Sequence, residues 1–239
     1  MGNSKYLDGL SSDEKNKLCQ KLWNIQNHKC FICEREIDLQ LNKTNIDHIK
    51  PLANGGKDGV DNFAITHETC NKSKQDADLV VAKTLCRLDK IIKSATDNNE
   101  TPSLKHVLLA NGGSKFSFKF RVENGKIVYA FSEMGDDKIR HSEIFIDPLS
   151  NEKTAFVRLP IEYIFHDETI NPRGINKTIS LLIKEFHKPN PQLHLSLARV
   201  DGEKVKIFDG QHKAVAQIML GVKSIVVRLF IEPDVDRLI

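Results

Sequence analysis

The sequence predicts an α+β protein built in two units, and three observations carry that prediction. All five cysteines fall between Cys19 and Cys86. The chain around them is irregular, rich in Asn, Asp, Lys and Gly and poor in long apolar runs, so it needs a structural metal to fold. Beyond it, apolar and polar residues alternate on either side of Asn124-Gly125 and Asp201-Gly202, the pattern of β-hairpins. Apolar residues also recur there at helical spacing, so the second unit builds a core unaided. The expected boundaries are a first unit over 1–95, a linker over 96–105 and a mixed α/β second unit over 106–239.

The length of 239 residues has room for one large domain or two small ones. Lys and Arg number 35 and Asp and Glu 32, a net charge of +3. That excludes a protein held on nucleic acid by bulk charge, so any such contact needs a local patch. A composition 40% hydrophobic and 28% charged is that of a soluble globular chain. No apolar run is long enough to span a membrane, and the polar first residues hold no secretory signal. Tyr6 stands where a myristoylated Met-Gly start wants Ser or Thr. A cytoplasmic location is expected, where cysteines serve as metal ligands or buried thiols rather than disulfides.

Along the chain, Ser11 and Glu14 form a capping box that opens a helix with Leu18, Leu22 and Ile25 on one face. Trp23 beside them is a core anchor, and His28 an incidental surface residue. A second helix is expected from about Asn71 through Leu88, with Leu79, Ala82 and Cys86 on one stripe. Ser94 to Ser103 is polar, carries Pro102 and reads as a linker. Phe116, Phe118, Phe120 and Val122 alternate with polar residues. A type I′ turn at Asn124-Gly125 then leads into Ile127, Tyr129 and Phe131. Ile175, Ile179, Leu182 and Phe186 mark a helix. His194–Val200 and Val205–Phe208 flank the second turn. A helix over Lys213–Leu220 is closed by Gly221, and Ser224–Phe230 is a final apolar strand.

Two short pairs carry chemistry. Cys30-Phe31-Ile32-Cys33 has zinc-knuckle spacing, and His67-Glu68-Thr69-Cys70 repeats it. Tetrahedral zinc takes four ligands, and Cys30, Cys33, His67 and Cys70 supply three thiolates and an imidazole. Between the pairs stand Asp47-His48, Pro51, Gly55-Gly56 and Asp61-Asn62, and Cys70-Asn71-Lys72-Ser73-Lys74 closes the segment.

This arrangement resembles the HNH endonuclease family, over about Lys29 to Ala77. The resemblance implies a ββα-metal core that hydrolyses phosphodiester bonds in DNA. It implies His48 as general base, Asp47 and Asn71 as ligands of a catalytic Mg²⁺ or Mn²⁺, and Asn62 as a residue fixing the His48 loop. Gly55-Gly56 would let the loop turn sharply, and Lys50, Lys72 and Lys74 would meet phosphates. His67 stands where many zinc-bearing members carry Cys. Imidazole is also a zinc ligand.

A second motif, Phe208-Asp209-Gly210-Gln211-His212-Lys213, follows Leu159–Ile164 and Asn171-Pro172-Arg173. The order resembles the ParB/sulfiredoxin-like superfamily, and more narrowly its members with a D-G-Q-H-R motif, over about Phe156 to Ile231. Lys213 replaces the usual Arg, exchanging a bidentate group for a point charge. The resemblance implies a nucleotide or phosphate site at Arg173, Asp209, Gly210, Gln211, His212 and Lys213, with the amides of a helix N-terminus facing the anion.

The combination reads as a DNA endonuclease of prokaryotic antiphage defence or restriction, regulated or targeted by its second unit. DNA is the expected partner, with an NTP, a second copy or a larger defence complex as further ones. Two other readings stay open here: a nucleotide-binding or hydrolysing protein whose HNH module only binds DNA, and a non-enzymatic zinc adaptor.

Overall fold

Ser11 opens the first long helix with the capping box: its hydroxyl accepts from Glu14 N, and the Glu14 carboxylate accepts from Ser11 N. The computed structural model describes residues 4–74, 77–176, 178–188 and 194–238. The chain divides into two units, Met1–Asp89 and Lys90–Ile239.

The first unit holds α1 (Lys5–Asp8), α2 (Ser12–Ile25), β1 (Thr44–His48), β2 (Phe63–His67) and α3 (Glu68–Ser73); α4 (Leu79–Asp97) runs across the division. Strands β1 and β2 pair antiparallel, with Asp47 opposite Ala64 and His48 opposite Phe63. Leu18 and Leu22 of α2 pack on Ile37, Phe63, Ile65 and Leu79, in one cluster with Cys30 and Cys33. Ile25 is exposed, contrary to the expected stripe. Its place is taken by Gln26, whose amide donates to Ile65 O and accepts from Ile65 N (2.9 and 2.8 Å), extending the edge of β2. Trp23 anchors as expected, donating to Ile37 O at 2.8 Å. His28 is exposed but not incidental, since its ring stacks on Trp23 at 3.7 Å. The helix expected over Asn71–Leu88 is two helices. Asp78 accepts from Val81 N at 2.8 Å, an N-cap that starts α4 afresh. Gln75 and Asp76 of that stretch lie outside the described residues.

The second unit is a mixed sheet with helices. Its elements are α5 (Leu104–Ala110), β3 (Phe120–Glu123), β4 (Lys126–Phe131), β5 (Asp136–Ile146), β6 (Lys153–Pro160), β7 (Ile164–His166), α6 (Ile179–Phe186), β8 (Ser196–Asp201), β9 (Lys204–Asp209), α7 (Gln211–Met219) and β10 (Ser224–Ile231). The sheet order is β3-β4-β5-β6-β10-β8-β9-β7, parallel at β10/β8 and β7/β9. Ala155, Val157 and Leu159 of β6 and Val227 and Leu229 of β10 alternate into the core, and α5 and α6 pack on α7. The Asn124-Gly125 turn has positive φ at both residues (49° and 74°), as type I′ requires. Phe116 and Phe118 lie before β3, their amides bonded to Glu162 O and Glu203 O. The stretch expected to be a linker is helical through Asp97, and its last residue, Ser103, caps α5. Helix α6 begins at Ile179, leaving Ile175 outside it, and α7 begins at Gln211, two residues before the expected start.

Candidate active site

Cys30 and Cys33 sit in a tight turn closed by Cys30 N to Arg35 O (2.9 Å) and Glu34 N to Cys30 O (3.0 Å). Phe31 N donates to Ile65 O at 3.1 Å, fastening the turn to β2. His67 ends β2 and caps α3, which carries Cys70 one turn later. The ligand atoms of Cys30, Cys33, His67 and Cys70 all lie within 4.8 Å of one another. Donors around a tetrahedral zinc stand about 3.8 Å apart, so the four fit one ion. His67 Nδ1 is 3.4 Å from Cys33 Sγ and 3.9 Å from Cys70 Sγ. On its other side, Nε2 lies 3.1 Å from Glu36 O. A carbonyl only accepts, so Nε2 carries the proton and Nδ1 keeps its lone pair for a metal.

The crowded thiols perturb one another's acidity. Burial, and then the neighbouring Cys30, push the Cys70 thiol up to about 12. Burial also opposes ionisation of Cys33, but hydrogen bonds from Arg35 outweigh it and bring the thiol down to about 6. Thiolates this close repel unless a cation sits among them, and Arg35 offsets part of the remaining charge.

Next to this cluster, β1 ends in Asp47-His48. Asp47 Oδ1 accepts from His48 N at 2.7 Å, and Asp47 Oδ2 meets Lys74 Nζ at 3.1 Å. The Lys74 side chain is only 8% exposed, so its ammonium sits at the carboxylate rather than in bulk solvent. Lys72 instead pairs with Glu68 at 3.0 Å, and Lys50 is exposed. Asn71 lies on α3, which packs on β1, and its Oδ1 is buried without a hydrogen-bond partner. A hard oxygen left unsatisfied in a buried position is what a divalent cation would complete.

Asn62 knits the loop between the strands: its Oδ1 accepts from Lys50 N (2.9 Å), and its Nδ2 donates to Lys50 O and Lys57 O (both 2.8 Å). Gly56 lies under that network. A Cβ there would overlap the Lys50 carbonyl and stand 2.9 Å from Asn62 Nδ2.

His48 is 8% exposed, its ring packed on Phe63 at 4.9 Å. Its Nε2 lies 3.0 Å from Asp58 Oδ1. Asp58 escaped the sequence reading. Hydrogen bonds from the Ser4 hydroxyl and Tyr6 N, and then His48, hold its carboxyl down at about 2.

In the second unit, Gly210 adopts φ 74° and caps α7, with Ser196 against it. A Cβ at Gly210 would stand 3.0 Å from Ser196 Oγ and 3.1 Å from Ser196 Cα. Gln211 points inward, 2% exposed, donating to Arg173 O at 2.8 Å, while its Oε1 is buried and unpartnered. His212 Nε2 accepts from Asn176 N at 3.2 Å, and burial lowers its pKa. These two side chains latch the loop of residues 171–176 against α7. Arg173 and Asp209 are exposed and Lys213 half-buried.

Residues 30–77 match the model of the HNH endonuclease family. The first unit therefore contains an HNH endonuclease domain, and that family implies a metal-dependent nuclease hydrolase acting on DNA. No curated protein and no solved structure matches the chain. No helix among the described residues is long and apolar enough to cross a membrane.

Proposed function

We propose that the protein is a DNA endonuclease in which His48 is the general base, and the observation that carries the reading is the His48 imidazole fixed beside Asp47 within the matched HNH segment. Zinc at Cys30, Cys33, His67 and Cys70 would hold the knuckle together. Mg²⁺ or Mn²⁺ would be held by Asp47 and Asn71 and would supply Lewis-acid stabilisation of charge on the phosphate. His48 takes a proton from water, the water oxygen attacks phosphorus, and the bond from phosphorus to the leaving oxygen breaks. Lys74 Nζ, 3.1 Å from Asp47 Oδ2, offsets the carboxylate charge. Asn62 holds the loop that follows His48.

The second unit, on its resemblance to the ParB/sulfiredoxin-like superfamily, would bind a nucleotide or another phosphate-bearing ligand at the N-terminus of α7 and direct the nuclease, in antiphage defence or restriction. The N-terminus of α7, opened by Gly210 at φ 74°, supports an anion site there.

The test is cleavage of plain and modified plasmid DNA in Mg²⁺, with and without each NTP. His48→Ala is expected to lose about 10²–10⁴-fold in rate with zinc retained, and Asp209→Ala to lose only the NTP response. Cutting by His48→Ala at the wild-type rate refutes the catalytic assignment. NTP turnover that survives His48→Ala, without DNA cleavage by the wild type, would favour a nucleotide hydrolase whose HNH module only docks on DNA.

A further inference from the structure

We propose that Asp58, clamped by Ser4 and Tyr6 of the N-terminal arm, is a positioning residue that fixes His48 as the Nε2–H tautomer and so makes Nδ1 the nitrogen that receives the proton of the attacking water. The inference rests on the nuclease reading and adds to it the residues that hold the ring.

The geometry leaves one assignment. An ionised carboxylate only accepts hydrogen bonds, so at the 3.0 Å contact between His48 Nε2 and Asp58 Oδ1 the imidazole donates. Neutral imidazole has one N–H, which leaves the lone pair on Nδ1. That nitrogen is 4.0 Å from Asp47 Oδ1, beyond hydrogen-bond distance, and Asp47 Oδ1 already accepts from His48 N. A ring flip would forfeit the Asp58 bond, and the ring is wedged on Phe63, which Tyr6 covers at 5.6 Å.

Asp58 is held from two sides. Ser4 Oγ donates to Oδ1 at 2.5 Å and Tyr6 N to Oδ2 at 3.0 Å. The Ser4 hydroxyl also accepts from Leu7 N at 3.0 Å, so the cap that starts α1 also grips the carboxylate. From the other side, Asn62 Nδ2 holds the carbonyl of Lys57, the residue before Asp58. Once His48 takes the proton, the Asp58 carboxylate faces an imidazolium and stabilises it without itself becoming protonated. Asp58 touches neither DNA nor water in this scheme; it acts through His48.

The experiment compares full-length wild type, Asp58→Asn, Asp58→Glu, Ser4→Ala and His48→Ala, each loaded with zinc, by single-turnover cleavage of a labelled duplex in Mg²⁺. DNA affinity and the ¹⁵N shifts of His48 are measured alongside. Asp58→Asn is expected to slow cleavage by about 10²–10⁴-fold, with DNA affinity unchanged and the His48 signature moved away from Nε2–H. Asp58→Glu is expected to recover part of the rate, and Ser4→Ala to lose less than Asp58→Asn. Wild-type cutting by Asp58→Asn, with His48→Ala inactive, overturns the inference and leaves the nuclease reading standing. Wild-type cutting by His48→Ala removes both. Should Asp58→Asn fail to retain zinc, Ser4→Ala decides the matter: slower cleavage with moved ¹⁵N shifts of His48 supports the assignment, and wild-type cutting with unmoved shifts overturns it.

Discussion

The two units bury different things. In the second, Ala155, Leu159, Val205, Ile207, Val227 and Leu229 fill the space between sheet and helices with apolar atoms. In the first, Cys30 and Cys33 share the cluster of Leu22, Ile37 and Ile65, and the ligand atoms of His67 and Cys70 close on them. Apolar contacts need no bound ion to hold their shape. Donor atoms hold theirs only around a cation of the right kind. The difference teaches that the proposed catalytic groups stand on the unit that carries the candidate metal cluster, because His67 ends the strand that pairs with Asp47 and His48.

The sharpest way to break this comparison is to remove a ligand. Cys33→Ser, or chelation of the wild type, is expected to unfold the first unit, since structural zinc contributes about 10 kcal/mol or more to such modules. Trp23 is the chain's one tryptophan and lies in that unit, so its emission should shift to the red while the far-UV strand signal persists. An unmoved Trp23 signal would show that apolar contacts alone suffice.

The converse change belongs to the second unit. Leu229→Ala empties a fully buried position on β10 and should cost about 2–5 kcal/mol in urea unfolding followed by circular dichroism. A smaller effect is expected at Gly210, where alanine meets both a left-handed backbone and the Ser196 contact. Gly210→Ala should cost about 1–2 kcal/mol in the same assay.

The smallest effect concerns pH. His166 is buried, and burial holds its pKa below the ordinary histidine value against the opposing pull of Glu168 and a backbone hydrogen bond at Asn171. The folded state therefore disfavours the protonated ring. The stability this gives is complete above the unfolded pKa, about 6.5, and is lost as pH falls from there through the lower folded pKa. The urea midpoint of the second unit should fall over that window, and His166→Asn should flatten the fall.

How much of this could be read from the chain follows from distance along it. The pairs Cys30/Cys33 and His67/Cys70, and the Asp47-His48 dipeptide, are local patterns, so spacing alone exposed them. The hairpin turn at Asn124-Gly125 was legible for the same reason. Asp58 was not, since its role depends on Ser4 and Tyr6 arriving from 54 and 52 residues away. Ile25 has helical spacing from Leu22 but falls past the packed face, where Gln26 bonds to β2 instead. Helix α4 continues to Asp97 through polar residues whose composition reads as linker. Strand β5 is exposed along most of its length, so it shows no alternation to detect.

One zinc ion, bound by three thiolates and an imidazole, would build the platform on which His48 stands. Zinc-edge X-ray absorption on the full chain tests it most directly. The expected result is one zinc per chain, with three sulfurs at about 2.3 Å and one nitrogen at about 2.0–2.1 Å. A chain that folds with no zinc, or a metal shell lacking sulfur, would contradict it.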